Sequence, residues 1–279
     1  MAAVETTDYK WQGSTTDCQC CCCCPWKTKY GAELVAEANN PNVRLVSPFS
    51  APASEIIGRA FAGTPTQDAE QSIHWMMGEK YDDLNNPQRQ SLIQMFITCG
   101  GRLTALSSTG AMLGDYNEQG ELRAVLISRR LNGPPSDTCL TCYLCCTGSL
   151  VCEMMCCSCC APDADNMSKR SEAVEKTFKK LHGTHGKGDH IYVNVVAVSP
   201  EHQGKGSCSR LVKTVSGVAD KSSIPCYLEC AGARNAKIYE RFGYEVKETC
   251  KLEVPNKPDL PSYDELQAMV RPAGGGNAN

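Results

Sequence analysis

The sequence contains no run of about 18 apolar residues, so its pattern offers no membrane-spanning helix. Its opening residues, MAAVETTDYK, have neither the basic region nor the apolar core of a secretory leader. A cytoplasmic setting is therefore expected, and there a disulfide scaffold is not. Basic residues are not in excess: the formal net charge is -3 over 279 residues, which argues against a dedicated nucleic-acid binder. Neither G-x-x-x-x-G-K-[ST] nor G-x-G-x-x-G occurs, so the common nucleotide-cradling signatures are missing.

Cysteine, by contrast, is abundant. Of 20 cysteines, 15 fall in two clusters: Cys18 with Cys20 to Cys24, and Cys139, Cys142, Cys145, Cys146, Cys152, Cys156, Cys157, Cys159 and Cys160. The two-residue gaps of Cys139, Cys142 and Cys145 suit soft metals. Contiguous thiols and the lack of histidine in either cluster argue against one defined site, and no metal ligand set is assigned. A second reading is S-acylation, because Glu153 is the only charge between Cys139 and Cys160, and Pro25-Trp26-Lys27 follows the first cluster with interfacial residue types. That would add peripheral membrane contact through acylated cysteines. A third reading is a low-complexity linker with no role.

The most informative segment is Ile191 to Arg210, IYVNVVAVSPEHQGKGSCSR. Val193, Val195, Val196, Ala197 and Val198 run together without polar alternation, the pattern of a central strand covered on both faces. After Pro200, the residues Gln203, Gly204, Lys205, Gly206 and Ser207 place glycines where backbone amides approach a ligand closely. The helix that follows offers unpaired N–H groups and a positive dipole end, with Leu211, Val215 and Val218 as its apolar stripe. This is the layout of a pyrophosphate cradle. An ordinary strand-to-helix turn is the competing reading of the segment alone. Downstream, PCYLE (Pro225 to Glu229) reads as a strand and Asn235 to Gly243 as a short helix ended by glycine. From Tyr244 the residues Tyr244, Val246, Cys250, Leu252 and Val254 alternate with polar ones as a strand with one wet face.

The succession V-x-V-S-P, Q-G-K-G, L-E and N-x-x-x-Y-E-R-F-G-Y resembles the GNAT superfamily of acyl-CoA N-acyltransferases over residues 190 to 254. The family pattern Q/R-x-x-G-x-G/A is followed by Gln203 and Gly206, with Cys208 replacing the last small residue. The resemblance implies an α/β (α+β) fold: a mixed, mostly antiparallel central sheet flanked by helices, with a V-shaped opening for acyl-CoA between two central strands. It implies acetyl-CoA as co-substrate. The backbone of Val196, Ala197 and Val198 would bind the pantetheine arm, and the amides from Gln203 to Cys208 the pyrophosphate, with Lys205 and Arg210 adding charge. Asn235 would contact the cofactor, and Tyr239 would protonate the departing thiolate. Core packing beside Ile238 and Phe242 is the alternative for Tyr239. For the base that removes the amine proton the sequence leaves Glu229, Asn194 through a water, His190, Glu201 and His202 open, with Glu229 favoured.

The N-terminal half reads as a strand at 42–48 and helices at 53–61, 72–80 and 87–97. A hairpin of Ala105 to Gly114 and Glu121 to Arg129 follows. Under the resemblance the first helices border the acceptor, so Phe61, Asp68, Trp75 and Tyr81 are where amine choice would lie. The expected organisation is a disordered cysteine-rich segment over 1–40 and an acyltransferase domain over 41–255 with a cysteine-rich insert at about 132–188. A flexible tail over 256–279 completes it. Residues 161 to 251 hold 15 Lys or Arg against 11 Asp or Glu, which suits a phosphorylated ligand. The expected activity is acetyl transfer from acetyl-CoA to a primary amine. The alternative is a cysteine-rich metal- or membrane-binding protein whose acyl-CoA-binding domain is catalytically weak.

Overall fold

Strands β1 (Val43–Leu45), β2 (Gly110–Tyr116), β3 (Leu122–Asn132), β4 (Asp189–Val198), β5 (Cys226–Ala231), β6 (Glu245–Leu252) and β7 (Tyr263–Arg271) form one sheet in the order β1-β2-β3-β4-β5-β7-β6. Every neighbouring pair is antiparallel except β4 and β5, which run parallel. The structure, a computed structural model, describes residues 27–63, 71–78, 83, 87–132, 164–255 and 257–275. Both cysteine clusters, Asp68 and Tyr81 lie outside the described residues. Among the described residues no helix is long and apolar enough to cross a membrane, and no group of His, Cys, Asp or Glu is arranged to hold a metal ion.

Two helical layers cover the sheet, as strands apolar on both faces require. On one face lie α1 (Lys29–Ala38) and α6 (Ser207–Lys221), whose Tyr30, Leu34, Leu211 and Val215 pack with Leu113, Leu126, Ile191 and Leu228. On the other lie α2 (Ala51–Ala62), α3 (Gln71–Met77), α4 (Pro87–Leu106) and α5 (Ala164–His185), which cover Met112, Val125, Ile127, Tyr192, Tyr227 and Leu266. The short α7 (Ala233–Glu240) follows β5.

The expected fold class is what the strand order and helical layers display, and four boundaries shift. Residues 29–38, expected within the disordered N-terminal segment, form α1. Thr28 caps it by accepting from Gly31 N at 3.0 Å and ties it to β2 by donating to Gly110 O at 2.8 Å. Burial of Leu34 alone contributes about 1.5–3 kcal/mol. The tail after 255 is not free either. Its residues 263–271 insert as β7 between β5 and β6, burying Leu266, Ala268 and Met269. Arg271, 1% exposed, holds both oxygens of Asp220 on α6 at 2.7 Å and donates to Phe242 O. Flanking prolines and glycines hide this strand in the sequence. Within the expected insert, residues 164–185 form α5. Helix α4 also runs to Leu106, so the hairpin begins at Gly110 rather than Ala105.

The clean alternation expected for the strand after Tyr244 is broken. Register shifts at Val246/Glu248 and Cys250/Leu252 rotate β6, leaving Val246 38% exposed, while Leu252 is buried. As an edge strand β6 carries a wet row in which Glu248 accepts from His185 Nε2 at 2.8 Å.

Candidate active site

The chemistry-bearing groups meet where β4 and β5 part. These strands are paired only through Ile191 with Cys226 and Tyr192 with Tyr227. Beyond that point no strand among the described residues pairs with β4 on its β5 side, so its edge amides and carbonyls face an opening. The cause is visible one residue further on. Val193 opposes Ser128 and Val195 opposes Ile127, so Asn194 is an extra residue, a bulge that bends β4 away from β5. The bulge also shifts the facing pattern. Val193 packs on the α1/α6 side, Val195 and Ala197 on the α2/α4 side, and Val196 and Val198 back against the first.

On the α2/α4 side the opening leads into a cavity of about 160 Å³. Its wall includes Phe61, Ile97, Phe178, Asn194, Glu229 and Leu266. Glu229, half-buried on β5, accepts from the Tyr227 hydroxyl at 2.7 Å. Its carboxyl is pushed up to about 7, chiefly by burial, with the hydroxyls of Tyr227 and Tyr192 pulling the other way. Burial also keeps both phenols protonated, raising Tyr192 and Tyr227 well above the ordinary tyrosine value. Asn194 donates to the Tyr192 hydroxyl at 3.1 Å.

Behind these tyrosines lies a histidine pair, His182 from α5 and His190 from β4, whose Nε2 atoms are 2.9 Å apart. Burial lowers both, His182 to about 4. His190 Nδ1 faces Gly188 O at 2.9 Å, and a carbonyl only accepts. So neutral His190 carries its proton on Nδ1, and His182 donates from Nε2 to His190 Nε2. The His182 ring packs 4.7 Å from both Tyr192 and Tyr227. His190, proposed as a base, is 1% exposed and spent in this pair, so it does not face the cavity.

On the opposite face, β4 ends at Val198, and after Ser199 a 3-10 turn (Pro200–His202) leads to Gly204, Lys205 and Gly206. Gly204 and Gly206 have φ of +72° and +83°, the left-handed region that favours glycine. Helix α6 starts at Ser207, and no backbone acceptor pairs the amides of residues 204–209 among the described residues. Lys205 Nζ folds back to Glu201 O at 2.8 Å. Arg210, expected to add charge for a ligand, instead clamps Asp115 on β2 through two contacts of 2.8 Å, and Arg123 approaches the same buried carboxylate at 3.1 Å. These guanidinium partners outweigh burial and lower the Asp115 carboxyl. The clamp fixes the start of α6 to the sheet. Asp115→Asn should therefore cost about 2 kcal/mol, read as a lower denaturant midpoint at unchanged slope.

Two other base candidates are placed elsewhere. Glu201 pairs with Arg59 and accepts from Ser199, which hold its carboxyl down to about 2, so it stays an anion on the turn. His202 sits in the same turn, outside the cavity wall. Asn235 spends its amide on Ala231 O at 2.9 Å, bridging β5 to α7. Cys208 packs into the α1/α6 core, and burial raises its thiol to about 11. Tyr239 on α7 lies on that same side, its ring 5.8 Å from Tyr244. Trp75 is 7% exposed and donates to Pro261 O, a packing role, whereas Phe61 lines the cavity.

Residues 173–246, from α5 to the start of β6, match the family model described as acetyltransferase (GNAT) domain. That segment, about a quarter of the chain, is what resembles a GNAT acetyltransferase domain. An uncharacterized N-acetyltransferase of Schizosaccharomyces pombe is 33% identical over 80 residues, which make up 29% of this chain and only 30% of that relative's length. Among solved structures, arylalkylamine N-acetyltransferase 2 from Aedes aegypti aligns at 12% identity and TM-score 0.48, covering 83% of this chain and 99% of that one. A Drosophila melanogaster polyamine N-acetyltransferase aligns at 12% and 0.48, covering 82% and 97%.

The GNAT match takes in the opening, the glycine turn, Glu229, Asn235 and Tyr239. It also takes in Tyr192, Tyr227 and His182, which sequence reasoning passed over. Tyr192 and Tyr227 stand in apolar strands where a phenol reads as core, and His182 lies on a helix within the supposed insert. Two signals were present: tyrosines two residues before Asn194 and before Glu229 share a strand face with them.

Proposed function

We propose that the chain is an acetyl-CoA-dependent N-acetyltransferase that acts on a primary amine by direct attack, with Glu229 as general base and Tyr239 as general acid. One observation carries the reading. The β4–β5 opening has a glycine turn leading into the start of α6 on one face, and a cavity with a carboxyl near neutrality on the other.

Acetyl-CoA fits the first face. The amides from Gln203 to Cys208 and the positive end of α6 would hold its pyrophosphate, and the unpaired edge of Val196, Ala197 and Val198 its pantetheine arm. Lys205 supplies the nearby cation. The thioester would then lie in the opening, where an edge N–H of β4 can stabilise the oxyanion. An incoming ammonium gives one proton to Glu229, which passes it to solvent. The neutral nitrogen attacks the thioester carbonyl and the C–N bond forms. On collapse the C–S bond breaks and the thiolate takes the Tyr239 hydroxyl proton. The proton that nitrogen must still shed returns to the phenolate through water, leaving an N-acetyl amide and free coenzyme A.

The test is thiol release from acetyl-CoA over a panel of amines, with the acetylated product identified by mass. Tyr239→Phe is expected to lower kcat by about 10²-fold or more while coenzyme A affinity is kept. Failure of the folded protein to bind coenzyme A in equilibrium dialysis overturns the reading.

A further inference from the structure

The cavity wall is chemically lopsided. Phe61, Ile73, Ile97, Phe178 and Leu266 make it apolar, and Glu229 is its single charged member among the described lining residues. One ammonium finds a counter-charge there. A second ammonium, as in a polyamine, would lose water against hydrocarbon with no partner, and a substrate carboxylate would face Glu229. The volume of about 160 Å³ has room for on the order of ten water-sized groups, too little for a peptide segment whose amides would also go unpaired.

One part of the wall is unexplained by packing. Helix α4 carries two consecutive glycines in its interior, where glycine is destabilising. Gly101 has a packing reason, since a Cβ there would meet Ile127 Cδ1 at 2.6 Å. Gly100 has none: among the described residues a Cβ would meet no atom within 4 Å, and the residue, itself exposed, lines the open side of the cavity. The missing side chain leaves open space on that side of the wall.

We infer that the acceptor is a small primary monoamine bearing one apolar group, seated with its nitrogen on Glu229 and its hydrocarbon between Phe61, Ile97 and Phe178, and that Gly100 sets the size limit. This rests on the acetyltransferase reading of the same site. The group transferred and the proton balance are those already given.

The experiment uses the full chain with acetyl-CoA, comparing ethylamine, n-butylamine, 2-phenylethylamine, spermidine and a lysine-containing peptide. Coenzyme A binding is measured separately by calorimetry. The monoamine with the larger apolar group is expected to exceed spermidine and the peptide at least tenfold in kcat/KM. Gly100→Leu should shift the kcat/KM ratio of ethylamine to 2-phenylethylamine at least tenfold towards the smaller amine, with coenzyme A affinity retained, and Gly100→Ala should shift it the same way by less. Thermal unfolding reports whether each variant is folded, and Gly100→Ala, which improves helix propensity, keeps the test open if the leucine variant is not. Coenzyme A binding together with preference for spermidine or peptide, or an unmoved size ratio in the folded variant, overturns this inference and leaves the acetyltransferase reading standing, whereas coenzyme A binding with no amine acetylated overturns both. Absence of coenzyme A binding overturns both.

Discussion

Glu229→Gln is expected to lower kcat/KM for amine acetylation by 10²- to 10⁴-fold, the range that a positioned general base supplies. The amide has the shape of the carboxyl, and its oxygen can still accept from Tyr227 at the 2.7 Å contact, so the wall of the cavity is kept while the proton acceptor is lost. Wild-type kcat/KM should climb with pH and level off above about 7, where burial places the Glu229 carboxyl. The variant should lose that inflection. A pH–rate profile for both proteins is the measurement. Retention of activity and of the inflection in the variant would remove Glu229 from the chemistry.

The same carboxyl leaves a mark on stability. Its folded pKa lies above its ordinary value of 4.5, so between pH 4.5 and about 7 the folded state binds the extra proton. The contribution is present below 4.5 and lost as pH rises through 7. His182 acts in the opposite sense. Its folded value is depressed to about 4 from 6.5, so its contribution is present above 6.5 and lost as pH falls through 4. His190, also lowered by burial, acts in the same sense as His182. The difference between wild type and Glu229→Gln isolates the carboxyl. It should grow by on the order of 1–3 kcal/mol between pH 4.5 and 8, with the variant the more stable at the alkaline end.

Strand β4, the glycine turn and α6 were legible because one unbroken apolar run, two glycines and an i, i+4 stripe each have a single economical structure. The opening itself was not. It depends on an extra residue in β4, and a bulge at Asn194 follows from the register against β3, which no local pattern encodes. Strand β7 was missed for a related reason. Leu266, Ala268 and Met269 are too few to outweigh the surrounding proline and glycine, and their burial comes from β5 and β6 on either side. Arg210 misled in a third way. A cation beside a phosphate-binding turn reads as a ligand group, and only the fold brings Asp115, 95 positions away, to claim it. Glu229 was found by its place after a strand leucine, but its proton affinity is set by Tyr192, Tyr227 and the cavity that encloses them.

Gly206→Asp is expected to reduce coenzyme A affinity by about 10²- to 10³-fold without unfolding the protein. Gly206 precedes α6 with φ of +83°, and aspartate enters that left-handed region at a cost of about 1–2 kcal/mol. Its carboxylate would sit at the positive end of α6, which repays part of that cost by capping free amides. Those are the amides proposed to hold the pyrophosphate. A carboxylate about 4 Å from a phosphate charge also opposes it by about 4 kcal/mol at an effective dielectric of 20, larger than the strain and acting on binding alone. Gly206→Ala separates the two effects. It carries the strain without the charge, so it should lose about 1 kcal/mol of stability and less than tenfold in affinity. Calorimetric titration with coenzyme A, beside denaturation of each variant, distinguishes these outcomes. Wild-type affinity in the aspartate variant would move the phosphate site away from the turn.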